Sequence, residues 1–245
     1  MPLDLLVSKL VDCTNRKFVI HSDLTIFGRA LPRYKGYAIN VFRQKLNAEL
    51  LAIPTFNLHT NHAKVIDFSI LDASMGALPL EALSVLNHAN SIRLPNPIHS
   101  YTFFPSVRGL EKIDCSKSFG EKSVFDYFYE NNFLWVEFGT FSGDGLTLFH
   151  HLECVASVPY RKKIYFDRTF LYDGQVKTVA YEYYARTDNS YAQNFSAALE
   201  YLIDKGVVTS VAYNERQILY GSVKEISLAI LAKLRCDPYF LVKKV

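Results

Sequence analysis

Residues 133–139, FLWVEFG, form a near-continuous apolar run of strand length that ends at a glycine. A run of this kind is buried on both faces, which requires helices packed above and below a single sheet. KFVIH over 17–21 reads as a second buried strand, and LLAIPTF over 50–56 as a third, closed by Pro54. Helical patterns alternate with these runs. Leu3, Leu6, Val7, Leu10 and Val11 recur at helical spacing, a second pattern covers about 38–50, and MGALPLEALSVL places Pro79 in a first turn. Ser123 followed by Asp126 reads as the start of a helix through 124–131, and LTLFHHLECVA as a helix directly after the central run. The expected fold is therefore α/β, with an αβα-layered core up to about residue 160.

The texture changes from residue 163. KKIYFDRTFLYDGQVKTVAYEYYAR predicts two strands joined at Asp173-Gly174, an antiparallel hairpin. Helical patterns follow at about 194–205, ended by Gly206, and at 222–235, with a strand around 216–220 between them. The chain is read as one domain over 1–245. Residues 1–162 form the core with the cofactor and catalytic elements, and 163–245 an added antiparallel part with helices.

At 245 residues, 49% hydrophobic and 21% charged, the chain can bury a substantial core. A net charge of +3, with no Arg-rich tract and no zinc-finger spacing, argues against a nucleic-acid binder. The basic balance suits an anionic ligand better than a polycation. Cys13, Cys115, Cys154 and Cys236 are scattered without a CxxC pair and read as reduced, mostly buried thiols of a cytoplasmic protein. The first residues, MPLDLLVSKLVDC, lack a basic start and a cleavage site, and no apolar run approaches the roughly 20 residues that cross a bilayer. No membrane association is expected, and homo-oligomerisation is left open.

Four constellations could carry chemistry. His150 and Glu153 share a face of one predicted helix at i and i+3, so the carboxylate can accept from one imidazole nitrogen and leave the other as a general base. A plain helix-surface pair is the alternative. HSDLTIFG, residues 21–28, ends a strand in hydroxyl and acidic residues before a glycine, a turn able to hold an amide-rich or phosphate-bearing chain. SFGEKS, residues 118–123, offers a Gly and two Ser ahead of a helix N-terminus. His59 and His62, with Asp67 nearby, have no convincing third ligand, so no metal is expected. His151 and Cys154 point away from the His150 face and read as structural.

Taken in order, HSDLTIFG, the IPTF strand end, SMGAL, NPIHS, SFGEKS and LTLFHHLE-x4-VPYR resemble the aminoglycoside 3-N-acetyltransferase family over about residues 18–162. The resemblance implies that family's fold and transfer of an acyl group, acetyl by default, from acyl-CoA to a sugar amine. It places the catalytic pair on His150 and Glu153. On the cofactor side it implies Ser22, Asp23, Leu24, Thr25 and Phe27, together with Ser100, Ser118, Gly120 and Ser123. On the acceptor side it implies Phe56, Asp72, Asn96 and His99.

Departures from the family pattern leave the base intact but alter the surroundings of the acceptor and the cofactor. Asn96 stands for the first His of an H-P-x-H-S element, Leu94 follows Arg93 where that pattern has Ser, and Leu146 stands where an Asn is usual. RALPRYKG replaces family-typical glycines after HSDLTIFG. With Arg29, Arg33, Lys35, Arg161, Lys162 and Lys163 in the loops, the acceptor expected here is an anionic, nucleotide-linked amino sugar of surface-polysaccharide assembly. An aminoglycoside acceptor and a non-catalytic CoA- or sugar-binding module are the alternatives.

Overall fold

A computed structural model describes residues 2–10, 14–30, 37–58, 65–68, 70, 75–86, 90–139 and 146–245. The central run forms β6 (Leu134–Phe138), flanked by β1 (Lys17–Ser22), and beyond β1 lies β2 (Leu50–Pro54). These three strands are parallel. Their side chains alternate between two cores. Phe18, Ile20, Leu51, Ile53, Leu134, Val136 and Phe138 pack on one face, while Val19, Leu50, Ala52 and Trp135 pack on the other. The first face is covered by α1 (Pro2–Lys9), α2 (Tyr37–Lys45) and α3 (Ala77–Ser84). The second is covered by α4 (Val124–Glu130), α5 (Leu148–Ala156), α6 (Phe195–Asp204) and α7 (Val223–Cys236). The layered α/β core expected from the sequence is the one found.

Antiparallel strands complete the sheet on both sides. β5 (Tyr101–Phe104) and β4 (Ile92–Arg93) follow β2, and β11 (Arg216–Ser222) and β10 (Thr209–Tyr213) follow β6. The C-terminal part is thus woven into the central sheet as well as added to it. The hairpin is β7 (Arg161–Tyr172) with β8 (Gln175–Arg186), joined by β3 (Val65–Asp67) in a separate three-stranded sheet. Asp173 and Gly174 both take positive φ, 51° and 71°, as a two-residue turn between right-twisted strands demands. A small third sheet pairs β9 (Tyr191–Gln193) with β12 (Val242–Lys244).

The second helix stops five residues before the expected limit. Asn47 turns to a left-handed φ of 47° and the Ala48 amide bonds back to the Arg43 carbonyl, which frees the chain to enter β2. Among the described residues Cys115, Cys154 and Cys236 are free, and Cys236 is exposed rather than buried. No helix among them is long and apolar enough to cross a membrane.

The turn that leaves β6 is held against the turn that leaves β1. The Asp23 amide donates to the Phe138 carbonyl at 2.9 Å, and Leu24–Ala30 forms 3-10 turns beside it, broken by a kink at Gly28. Gly139 has a φ of +84°, and a Cβ there would lie 3.2 Å from Ile26 Cβ, 3.3 Å from Arg216 Nη1 and 3.4 Å from the Asp23 carbonyl. Only glycine meets both the conformation and the close approach. Gly139→Ala should lower unfolding stability by about 1–3 kcal/mol, read as a fall in the urea midpoint at unchanged m-value.

Candidate functional site

α5 buries Leu148, Phe149 and Leu152 against the sheet, and this rotation turns His150 toward the surface. Its side chain keeps 16% exposure, while Glu153 keeps 0%. His150 Nδ1 lies 2.6 Å from Glu153 Oε2. A fully buried carboxylate needs partners on both oxygens. The Tyr160 hydroxyl donates to Oε1 at 2.8 Å, and Arg161 Nε lies 2.7 Å from Oε2. Arg161 is itself fixed by donation to the Tyr184 carbonyl at 3.0 Å.

These contacts set the tautomer. An ionised carboxylate only accepts, so Nδ1 carries the proton and Nε2 carries the lone pair. Arg161 Nη2 also lies 3.0 Å from Nδ1, but two donors cannot bond each other; the shorter carboxylate contact governs. Nε2 faces a cleft of about 550 Å³ lined by His150, Arg161, Tyr183, Arg186, Ala192 and Gln193. Burial holds the imidazole pKa below its ordinary value; Glu153 opposes this, and the Arg161 and Arg186 charges add to it. His150 is therefore a neutral base at neutral pH.

His99 and His150 both approach the Phe119 ring. The Phe119 ring is 4.8 Å from His99 and 5.9 Å from His150, and Tyr183 stacks on His99 at 6.3 Å. Phe56 meets His99 edge-on at 4.9 Å. The polarity of the chain of hydrogen bonds from His99 can be derived. Asn96 Oδ1 receives the Ile98 and His99 amides, which identifies that atom as the oxygen. Tyr181 must then donate to Asn96 at 2.7 Å, so Ser118 donates to Tyr181 at 2.9 Å, and His99 Nδ1 donates to Ser118 at 2.9 Å. His99 is thus held as the Nδ1–H tautomer, and burial pushes its pKa down to about 3.

The remaining expected residues fall into three groups. Ser100, Ser118 and Ser123 are buried with their hydroxyls engaged inside the protein. Ser100 donates to the Leu94 carbonyl and accepts from Arg93, while Ser123 caps α4 and approaches His151 at 3.3 Å. The Gly120 amide donates to His151 Nδ1 at 3.2 Å, and His151 is a buried strut, as expected of it. In the turn after β1, Asp23 accepts from Thr25 and pairs with Arg216, and Leu24 and Phe27 pack into the core. Ser22 Oγ is buried without a hydrogen-bond partner among the described residues. Asp72, His59 and His62 lie outside the described residues. Cys154 is buried with its thiol pKa raised by burial, in keeping with the inert role expected.

Sequence reasoning did not assign Tyr160, Tyr183, Arg186 or Gln193 to the site, and saw Arg161 only as a loop cation. Tyr160 and Arg161 stand in the VPYR segment, so that motif held a signal. Tyr183, Arg186 and Gln193 stand in the added C-terminal part and had none.

No family model and no curated protein sequence matches the chain. Solved structures do. AAC-IIIb in a binary complex with CoASH is 14% identical, covers 96% of both chains and superposes with a TM-score of 0.72. The aminoglycoside acetyltransferase AAC(3)-IIb is 12% identical over 96% of this chain and 97% of its own, also at 0.72. Sisomicin-bound AAC-VIa is 12% identical over 96% and 97%, at 0.70. The chain has the fold of the aminoglycoside 3-N-acetyltransferases.

Proposed function

We propose that the protein is an acyl-CoA-dependent N-acyltransferase that acts on the amine of an amino sugar. The observation that carries this reading is His150, with its proton held on Glu153 and its lone pair facing a cleft, in a fold whose solved members bind CoASH and sisomicin. The amine nitrogen attacks the thioester carbonyl as His150 Nε2 takes one of its protons. The C–N bond forms, the C–S bond breaks, and the imidazolium returns the proton to the departing sulfur. Buried Glu153 stabilises the imidazolium in between, in the way a carboxylate serves a catalytic histidine elsewhere.

The acyl-CoA co-substrate would lie along the turn after β1. Ser22, with its unpartnered buried hydroxyl, and the backbone of residues 22–28 would line its path. Ser118 and Ser123 would support it from within, since their hydroxyls are engaged.

The fold neighbours favour an aminoglycoside acceptor. A second reading, an anionic nucleotide-linked amino sugar, is favoured by the cleft itself. Arg161 and Arg186 line it, and no carboxylate does among the described residues.

His150→Ala should lower kcat about 10²–10⁴-fold in a thiol-release assay with little change in acyl-CoA affinity; unchanged turnover would dismiss the base. In kcat/KM against pH, the limb that His150 produces should fall on the acid side of 6.5, because its depressed pKa keeps the base form down to lower pH. Activity would then be lost as pH falls through that value. Turnover of sisomicin against a UDP-linked 2-amino-2-deoxyglucose, at equal acetyl-CoA, decides the acceptor. Preference for the drug would retire the anionic reading.

A further inference from the structure

One contact at the base has no part in the reaction as written. The Gln193 side-chain nitrogen lies 2.9 Å from His150 Nε2. Because Nδ1 gives its proton to Glu153, the amide must be the donor and Nε2 the acceptor. An N–H group is already seated at the ring's only lone pair. An acceptor amine has to bring its own N–H to the same point, at hydrogen-bond distance, before its proton can move.

The backbone beneath that amide is fixed from several directions. β9 pairs with β12, with Val242 opposite Gln193, and the Asn194 amide donates to the Leu241 carbonyl. Arg186 Nη1 donates to the Tyr191 carbonyl at 2.9 Å. Tyr191 stacks on Tyr239 at 5.0 Å, and both rings approach Tyr160, whose hydroxyl is on Glu153. Phe195, two residues on, places its ring 5.0 Å from the imidazole. The Gln193 side chain itself is exposed. A rooted backbone with a solvent-facing amide can yield its place by a side-chain rotation alone.

We propose that Gln193 positions the acceptor amine: its carboxamide holds the amine's place at His150 Nε2, gives it up on binding, and then accepts a second amine hydrogen on its carbonyl oxygen. This rests on the acyl-transfer reading and adds the group that orients the nucleophile. A neutral primary amine has two hydrogens and one lone pair. With one hydrogen on His150 and one on Gln193, the lone pair is left for the thioester carbon. A secondary amine cannot satisfy both partners, so the arrangement selects primary amines.

The test uses the full chain with Gln193→Ala and Gln193→Glu, acetyl-CoA, and whichever of the two acceptors above turns over. Gln193→Ala should raise the acceptor KM about tenfold and leave the acetyl-CoA KM unchanged, a split that loss of structure would not give. Gln193→Glu sets a carboxylate against Nε2 in a ring already faced by Glu153, Arg161, Arg186 and Tyr183. The NMR titration of the His150 ring should therefore move up by about one unit or more, and the acid limb of kcat/KM with it. An active wild type whose variants keep both the acceptor KM and the ring titration would overturn the role of Gln193. A wild type that releases no thiol with either acceptor would overturn acyl transfer instead; a moved ring titration in Gln193→Glu would still establish the contact.

Discussion

Everything at the site depends on keeping the Glu153 carboxylate charged where no water reaches it. An ion of that size is costly to bury alone, by several kcal/mol, and three side chains offset the cost: His150, Tyr160 and Arg161. Each of those partners is oriented in turn by the carboxylate. The imidazole gains a defined tautomer, the tyrosine hydroxyl a defined direction, and the guanidinium a defined plane at the cleft wall. Removing the carboxylate would leave a buried arginine uncompensated and a histidine free to swap tautomers.

A second ordered set of hydrogen bonds runs beside the first and solves a different problem. Asn96 stands between Pro95 and Pro97, where neither helix nor strand can satisfy the backbone. Its side chain does that work, with the oxygen receiving two amides and the nitrogen donating to the Lys117 carbonyl at 2.8 Å. The same oxygen then dictates, through Tyr181 and Ser118, which nitrogen of His99 carries hydrogen. A histidine at position 96 could not offer a carbonyl oxygen to both amides, so the departure from the family pattern has a local structural use.

Much of this was legible in the residues. FLWVEFG, KFVIH and LLAIP announced strands buried on both faces because their apolar runs leave no polar side to face water. His150 and Glu153 were legible because a helix brings i and i+3 together whatever surrounds it. The strands β10, β9 and β12 were not legible. β10 is half exposed, and the other two are three-residue pieces whose pairing is decided by distant chain. YTFF was hidden by the proline-broken segment before it. Gln193 could not be found for the same reason as its strand: it meets His150 across 43 positions of sequence.

The proposed base and its supports, His150, Glu153, Tyr160 and Arg161, occupy one short stretch from α5 into the first residue of β7. Tyr183, Arg186, Ala192 and Gln193, which form the rest of the cleft wall, come from β8 and β9. Under the proposed acyl transfer, reactivity and selectivity would therefore be written on different lengths of chain. Substitutions along the second would then re-tailor the choice of nucleophile while the proton-handling unit survives unaltered, which would give such a scaffold room to diversify without inventing its chemistry anew.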